Sequence, residues 1–230
     1  MLCGPVVLSI AGRDSTSQAG LDMDVRTIEA LGGHALTLQS AGTMQHPGAP
    51  MSVEPSDVMT LRDGLRTTLS SHSVGAVKIG MLGTRDIVET VAEGLQDFDG
   101  PIVLDPVLFS SSGLCLLEAD AYGALEVLSR SVTLVTPNLE EYARLGGDDW
   151  RARVGVPVLV KGGHGAGEVL VDQLYAADGA HSTWRHPRRV LQNPRGTGCA
   201  LSSAIALFLA EEQPLEAAIE QGIAYLKNTF

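Results

Sequence analysis

Short runs of aliphatic and β-branched residues recur along the chain, and most are followed by a longer stretch with apolar residues three and four apart. PVVLSIAG (5–12) reads as a buried strand ending in glycine. In AGLDMDVRTIEALGG (19–33), Leu21, Val25, Ile28 and Leu31 fall on one helical stripe. HALTLQSAG (34–42) reads as a second strand, and 55–69 as a helix with Pro55, Ser56 and Asp57 as start signals. VGAVKIGML (74–82) reads as strand then loop, PIVLDPV (101–107) as a strand and VTLVTPN (132–138) as a strand running into a turn. VPVLVKGG (156–163) is a further strand, and helices are predicted over 84–95, 118–128 and 138–145. EVLVDQLYA and HSTWRHP, joined by the turn AADGA, read as an antiparallel pair. Two helices, about 197–211 and 214–227, follow. The alternation predicts one α/β domain over 1–230, with a mostly parallel sheet covered on both faces. Ligands of such sheets sit at the carboxyl ends of the strands. Gly12, Asp14, Gln45, Met81, Asp105, Asn138 and Lys161 therefore matter most.

Charge narrows the partners. The formal net charge is −11, with 16 Lys and Arg in 230 residues, so no basic face for nucleic acid is visible. The longest apolar run, Ala204–Ala210, is too short to span a membrane, and MLCGPVV lacks the basic start of a secretory leader. A cytoplasmic protein with neither nucleic-acid nor membrane partners is expected. Cys3, Cys115 and Cys199 are widely spaced and form no CxxC pair, which speaks against a disulfide framework or a zinc site.

The stretch RGTGCALSSAIALFLA (195–210) hands a glycine turn over to an apolar helix. A helix N-terminus carries unpaired N–H groups and partial positive charge, and glycines let an anion approach the backbone closely. Gly196, Thr197 and Gly198 thus form a candidate phosphate cradle. Cys199 at the same positive end is expected below the usual thiol pKa of about 8.5, as a usable base. The alternative is a helix cap followed by a packed cysteine. Asp105 in VLDPV stands at a strand tip, where a plain turn aspartate is the alternative. Asn138 and Glu141 stand three apart at a helix start, where a capping box is the alternative. Lys161 in VLVKGG suits nucleotide phosphate, or is an ordinary strand-end lysine. Acids and an amide beside a phosphate suit magnesium held partly through water. The ensemble fits metal-assisted phosphoryl transfer, which works by positioning and charge stabilisation.

SIAGRDS (9–15), AGLDMD (19–24), KIGML (78–82), VLDPV (103–107), TPNLEE (136–141), VKGGH (160–164) and GTGCALSSAIA (196–206) occur in this order along nearly the whole chain. In them the sequence resembles the hydroxymethylpyrimidine and phosphomethylpyrimidine kinases of thiamin biosynthesis, in the ribokinase-like superfamily. The resemblance implies a three-layer α/β/α sandwich and a homodimer. It implies ATP-dependent phosphorylation, with Mg2+, of 4-amino-5-hydroxymethyl-2-methylpyrimidine and then of its monophosphate. By the same resemblance Gly196, Thr197, Gly198 and Cys199 are the anion hole, with Cys199 the catalytic group. Asp105, Asn138 and Glu141 serve magnesium and the ATP phosphates, with Asp105 and Glu141 on the metal, and Lys161 serves the nucleotide. Gly12, Asp24, Gln45, Met81 and Val107 match positions lining the pyrimidine pocket. The Gln45 amide can donate to and accept from an aminopyrimidine edge. On its own Gln45 reads as a loop residue. The sequence departs from the family pattern at Ser17 and Gln18, where two glycines are usual, at Asp22, where glutamine is common, and at Met44–Pro47. These departures surround the substrate pocket. A pyridoxal-type vitamin kinase and a non-catalytic pyrimidine-phosphate binder stay open as alternatives.

Overall fold

The computed structural model describes residues 4–44, 52–110, 113–162, 169–187 and 195–230. Its strands are β1 (Val6–Asp14), β2 (His34–Met44), β3 (Ser52–Pro55), β4 (Ala76–Ile79), β5 (Ile102–Leu104), β6 (Leu134–Val135), β7 (Val158–Val160), β8 (Val169–Tyr175) and β9 (His181–Pro187). They form one sheet in the order β3-β2-β1-β4-β5-β6-β7-β8-β9. Pairing is parallel from β2 through β7, and antiparallel for β3 on one edge and for β8 and β9 on the other.

Side chains alternate across this sheet with a period of two. Leu8, Ile10, Val77, Ile79, Leu104, Val135, Val158 and Val160 face one core. That core is closed by helices α2 (Val58–Ser71), α3 (Arg85–Gly94), α4 (Tyr122–Ser129), α5 (Leu139–Leu145) and α6 (Gly147–Val154). Val7, Ala76, Val103, Leu134 and Leu159 face the other core, closed by α1 (Gly20–Ala30), α7 (Thr197–Ala210) and α8 (Leu215–Thr229). The three-layer α/β/α sandwich is thus formed. No helix among the described residues is long and apolar enough to cross a membrane.

Three local expectations are corrected. The helix expected from Pro55 begins at Val58, where the Asp57 carboxylate accepts from the Thr60 N–H at 2.8 Å. Pro55 instead ends β3, an exposed edge strand paired with β2. Its SVEP sequence has no apolar alternation, and proline is tolerated there because an edge strand need not donate on its outer side. Helix α6 was not visible in the periodicity, because GDDWRARV buries only Trp150 and Val154. The strands over 101–107 and 132–138 are shorter than expected, at Ile102–Leu104 and Leu134–Val135. Pro106 and Pro137 lack the N–H that would extend the ladder.

Leu104 is fully buried at the centre of the sheet. Leu104→Ala should cost about 2–5 kcal/mol of folding stability, read by urea denaturation. A loss below about 1 kcal/mol would mean that the core collapses around the gap and is less tightly packed than described.

Candidate active site

The early strand ends leave polar residues just past the carboxyl edge of the sheet. The Asp105 N–H donates to the Ile79 carbonyl at 2.8 Å, and the Lys161 N–H to the Pro137 carbonyl at 2.8 Å. Asn138 and Lys161 form an isolated parallel bridge. The ladder continues just far enough to fix these backbones while their side chains leave the sheet. The Lys161 Nζ then meets Asp105 Oδ1 at 2.6 Å. Asp105 also accepts from Thr136 Oγ1 at 3.3 Å and from Ser202 Oγ, on α7, at 3.5 Å.

Helix α7 brings its N-terminus to this pair. Gly196 adopts φ +78°, and a Cβ there would lie 2.3 Å from the Gln18 carbonyl oxygen, so glycine is required on both counts. No side chain caps α7 at Gly196. A Cβ on Gly198 would lie 3.2 Å from Lys161 Nζ and 3.7 Å from Asp105 Oδ2. The glycine turn, the lysine and the aspartate therefore enclose one small volume.

That volume is part of a cavity of about 710 Å³, within the usual range for a small-ligand site. Gly196, Thr197, Gly198, Cys199, Asp105, Asn138, Glu141 and Lys161 all line it. So do Gly12, Met81 and Val107. Gly12 sits at a bulge, where β1 shifts register against β2 between Ala11 and Gly12. A Cβ on Gly12 would come within 2.7 Å of the Met81 sulfur, so these two residues form a tight wall. Gln45 lies outside the described residues, as do His46, Pro47, Gly163 and His164.

Asp24 is not on this wall. It is fully buried, and its carboxylate takes the Lys78 ammonium at 2.9 and 2.8 Å, Ser9 Oγ at 2.7 Å and Ser203 Oγ at 2.9 Å. Lys78 is equally buried but does line the cavity. No role had been read for Lys78 from the sequence. The signal was there: a lysine inside the otherwise apolar strand VGAVKIG has nowhere to go except into a buried partner.

Burial dominates the electrostatics. Asn138 and Glu141 do form the capping box: Glu141 N–H donates to Asn138 Oδ1 at 2.9 Å, and Asn138 N–H to Glu141 Oε2 at 2.7 Å. Burial pushes Glu141 up to about 7, with Lys161 opposing and Asp105 adding to the rise. For Lys161 burial works against the charge, but the Asp105 and Glu141 carboxylates overcome it and hold it above the ordinary lysine value. Cys199 corrects the expectation of an activated thiol. Burial pushes it up to about 11, against the lowering effect of Lys78. Desolvation outweighs the positive helix end.

Asp14, one of the strand-end residues singled out above, and Arg195, for which the sequence suggests no role, both line the cavity and approach to 3.6 Å. Asp14 also accepts from Thr16 Oγ1 at 2.8 Å and from the Thr16 and Gln18 N–H groups. Two departures from the family pattern meet here. Ser17 stands in the left-handed region at φ +55°, and its hydroxyl donates to Asp22 Oδ2 at 2.8 Å. A polar tether thus holds the turn where glycine would relax it.

Glu141→Gln keeps the capping box, since glutamine can accept at the same position. The Glu141 pKa in the folded chain lies above its ordinary 4.5, so the stability it contributes is complete below 4.5 and is lost as pH rises through about 7. In buffer free of magnesium and nucleotide, the unmodified chain should lose on the order of 2 kcal/mol relative to Glu141→Gln across that window. Denaturation series at several pH values read this, and a pH-independent difference would contradict the placement.

A hydroxymethylpyrimidine/phosphomethylpyrimidine kinase of Streptomyces coelicolor is 38% identical, aligned over 98% of this chain and 88% of its own. Among solved structures, an ADP complex of pyridoxal kinase from Bacillus subtilis superposes with TM-score 0.86 at 26% identity, covering 96% of this chain and 90% of that one. The phosphomethylpyrimidine kinase of Clostridium difficile superposes with TM-score 0.80 at 28% identity, covering 97% and 98%. The family described as phosphomethylpyrimidine kinase matches residues 14–230, a span that takes in the Asp105–Lys161 pair, the glycine turn and Cys199. With its strand-end acids and lysine gathered at that turn, the chain belongs to the phosphomethylpyrimidine kinase family.

Proposed function

We propose that this chain transfers the ATP γ-phosphoryl group to 4-amino-5-hydroxymethyl-2-methylpyrimidine, and a second one to the monophosphate, in thiamin biosynthesis. The observation that carries this is the convergence on one cavity of the α7 glycine turn, the Asp105–Lys161 pair, Cys199 and the Gly12–Met81 wall. Lys161 and Asn138 serve the nucleotide phosphates, and the first-turn N–H groups of α7 face the charge that develops on the moving phosphoryl group. Gly12, Met81 and Val107 border the ring of the pyrimidine, and Gln45 reads its amino edge. In this reading the protein works as a homodimer in the cytoplasm.

The donor set fits magnesium. Asp105 and Glu141 offer buried carboxylate oxygens on the cavity wall, and the burial that pushes Glu141 up is a cost that a bound cation would offset. These two carboxylates would hold Mg2+, with water and phosphate oxygens completing its shell, and the ion would neutralise charge on those oxygens.

In the first transfer the substrate O–H bond breaks and its proton passes to the Cys199 sulfur. The oxygen forms its bond to the γ-phosphorus, and the bond to the ADP oxygen breaks with its electron pair leaving on ADP. In the second transfer the nucleophile is a phosphate monoester, largely ionised near pH 7, which needs neutralisation but no base. Since burial holds the thiol protonated up to about 11, the reactive thiolate is a minor form at neutral pH. Hydroxymethyl phosphorylation should therefore rise between pH 7 and 10, while monophosphate phosphorylation should not share that rise. Cys199→Ala should slow the first transfer by about 10²-fold or more, the usual scale of general-base catalysis, and the second much less. Equal losses on both substrates would remove the base role.

The superposition on a pyridoxal kinase favours one second reading, since pyridoxal also presents a hydroxymethyl group on a nitrogen heteroaromatic ring. ADP release measured in parallel with the pyrimidine, its monophosphate and pyridoxal decides between them. Turnover of both pyrimidines above pyridoxal is expected. Preference for pyridoxal, or binding of the monophosphate with no ADP formed, would overturn the proposal.

A further inference from the structure

Among the described residues, Lys78 on β4 and Asp24 on α1 form an ion pair that is costly to bury. Both side chains are wholly excluded from solvent. Such pairs are poor sources of stability, because desolvation consumes most of the Coulombic gain, and apolar residues of similar volume usually serve the core as well. Three donor groups nevertheless fix Asp24 through four contacts: two from the Lys78 ammonium and one each from the hydroxyls of Ser9 and Ser203. Asp24 makes no part of the cavity wall, while Lys78 does. The aspartate is therefore the anchor, and Lys78 is the member of the pair that borders the site.

Helix geometry places Cys199 over that end. Cys199 and Ser203 are four apart on α7 and so share a face, one turn from each other. Ser203 touches Asp24 at 2.9 Å, and Cys199 lines the same cavity as Lys78 one turn nearer the helix start. The charged groups acting on the Cys199 sulfur are Lys78 from β4, Asp24 from α1, Asp105 beyond β5 and Lys161 beyond β7. Lys161 is already paired at 2.6 Å with Asp105.

We propose that Lys78 is a positioning residue for the hydroxymethyl transfer, held by Asp24 so that its ammonium is the counter-charge of the Cys199 sulfur whenever that sulfur is a thiolate. This rests on the phosphoryl-transfer reading above. Asp24 has two opposed effects: it holds the ammonium in place, and its own negative charge opposes formation of the thiolate. Lys78 favours that thiolate and Asp24 disfavours it, which agrees with the directions of their effects on the thiol. The monophosphate transfer, which needs no base, does not depend on the pair.

The test is the pH dependence of Cys199 alkylation by iodoacetamide in the free protein, followed peptide by peptide so that Cys3 and Cys115 are read separately. At pH 8 the Cys199 rate should rise about threefold or more in Asp24→Asn and fall by a similar factor in Lys78→Met, half a pKa unit each way. Loosening of the core alone would move both variants in the same direction, toward an ordinary exposed thiol. Shifts of the same sign, or no shift, would overturn the proposal. Should Lys78→Met fail to fold, the double variant Asp24→Asn/Lys78→Met removes both charges together. Its Cys199 rate should fall below that of Asp24→Asn alone, and an equal rate would overturn the proposal. The same variants, assayed with both pyrimidines, should lower the ratio of hydroxymethyl to monophosphate transfer when Lys78 is lost; an unchanged ratio also overturns it. If the unmodified chain phosphorylates neither pyrimidine, the functional reading fails, and the alkylation result still judges the placement of Lys78.

Discussion

Helix α7 is apolar or small on nearly every side, with Ala200–Leu207 and Leu209 all buried. Such a helix is stable only when surrounded. One flank is covered by the sheet, and α1 and α8 pack against the rest of it. This requirement sets the position of everything else in the site. Once α7 lies against the face of β1, β4 and β5, its glycine N-terminus emerges at the carboxyl edge of those strands. Asp105 and Lys161 have just left the ladder there. The anion cradle is thus a by-product of core packing, aimed by the same contacts that hold the domain together.

The site gathers buried side chains of opposing charge. The fully buried Lys78 and the partly buried Lys161 each pair with a buried aspartate, and Glu141 completes the set. In an acidic chain with 16 Lys and Arg, placing two lysines here concentrates scarce positive charge where phosphate must be neutralised. Burial strengthens every interaction among these groups and penalises each of them alone. The protonated thiol and the raised Glu141 share that cause.

Much of this was legible in the sequence. The alternation of strand and helix patterns marked the parallel sheet, and the sheet placed the important residues at its carboxyl edge. The glycines of RGTGC, Asp105 and Lys161 could be named because strand ends and helix starts have local signatures. What was not legible depends on contacts distant in sequence. Asp24 and Lys78 are 54 positions apart, so the pattern could not show that Asp24 pairs with a buried lysine. Cys199 was expected to be acidic from its place at a helix start, but the desolvation that reverses the shift comes from groups packed around it in the assembled core. Strand β3 and helix α6 escaped for a simpler reason: one is an exposed edge and the other buries too few residues to leave a periodic trace.

In the proposed reaction one cavity hands two phosphoryl groups in succession to one pyrimidine. The most direct measurement is the mass of the products of a single turnover, with the protein in excess over 4-amino-5-hydroxymethyl-2-methylpyrimidine and Mg-ATP present. A species heavier by one phosphoryl group is expected, which then gives way to one heavier by two. An unmodified pyrimidine while ATP is consumed, or after no consumption at all, would contradict it.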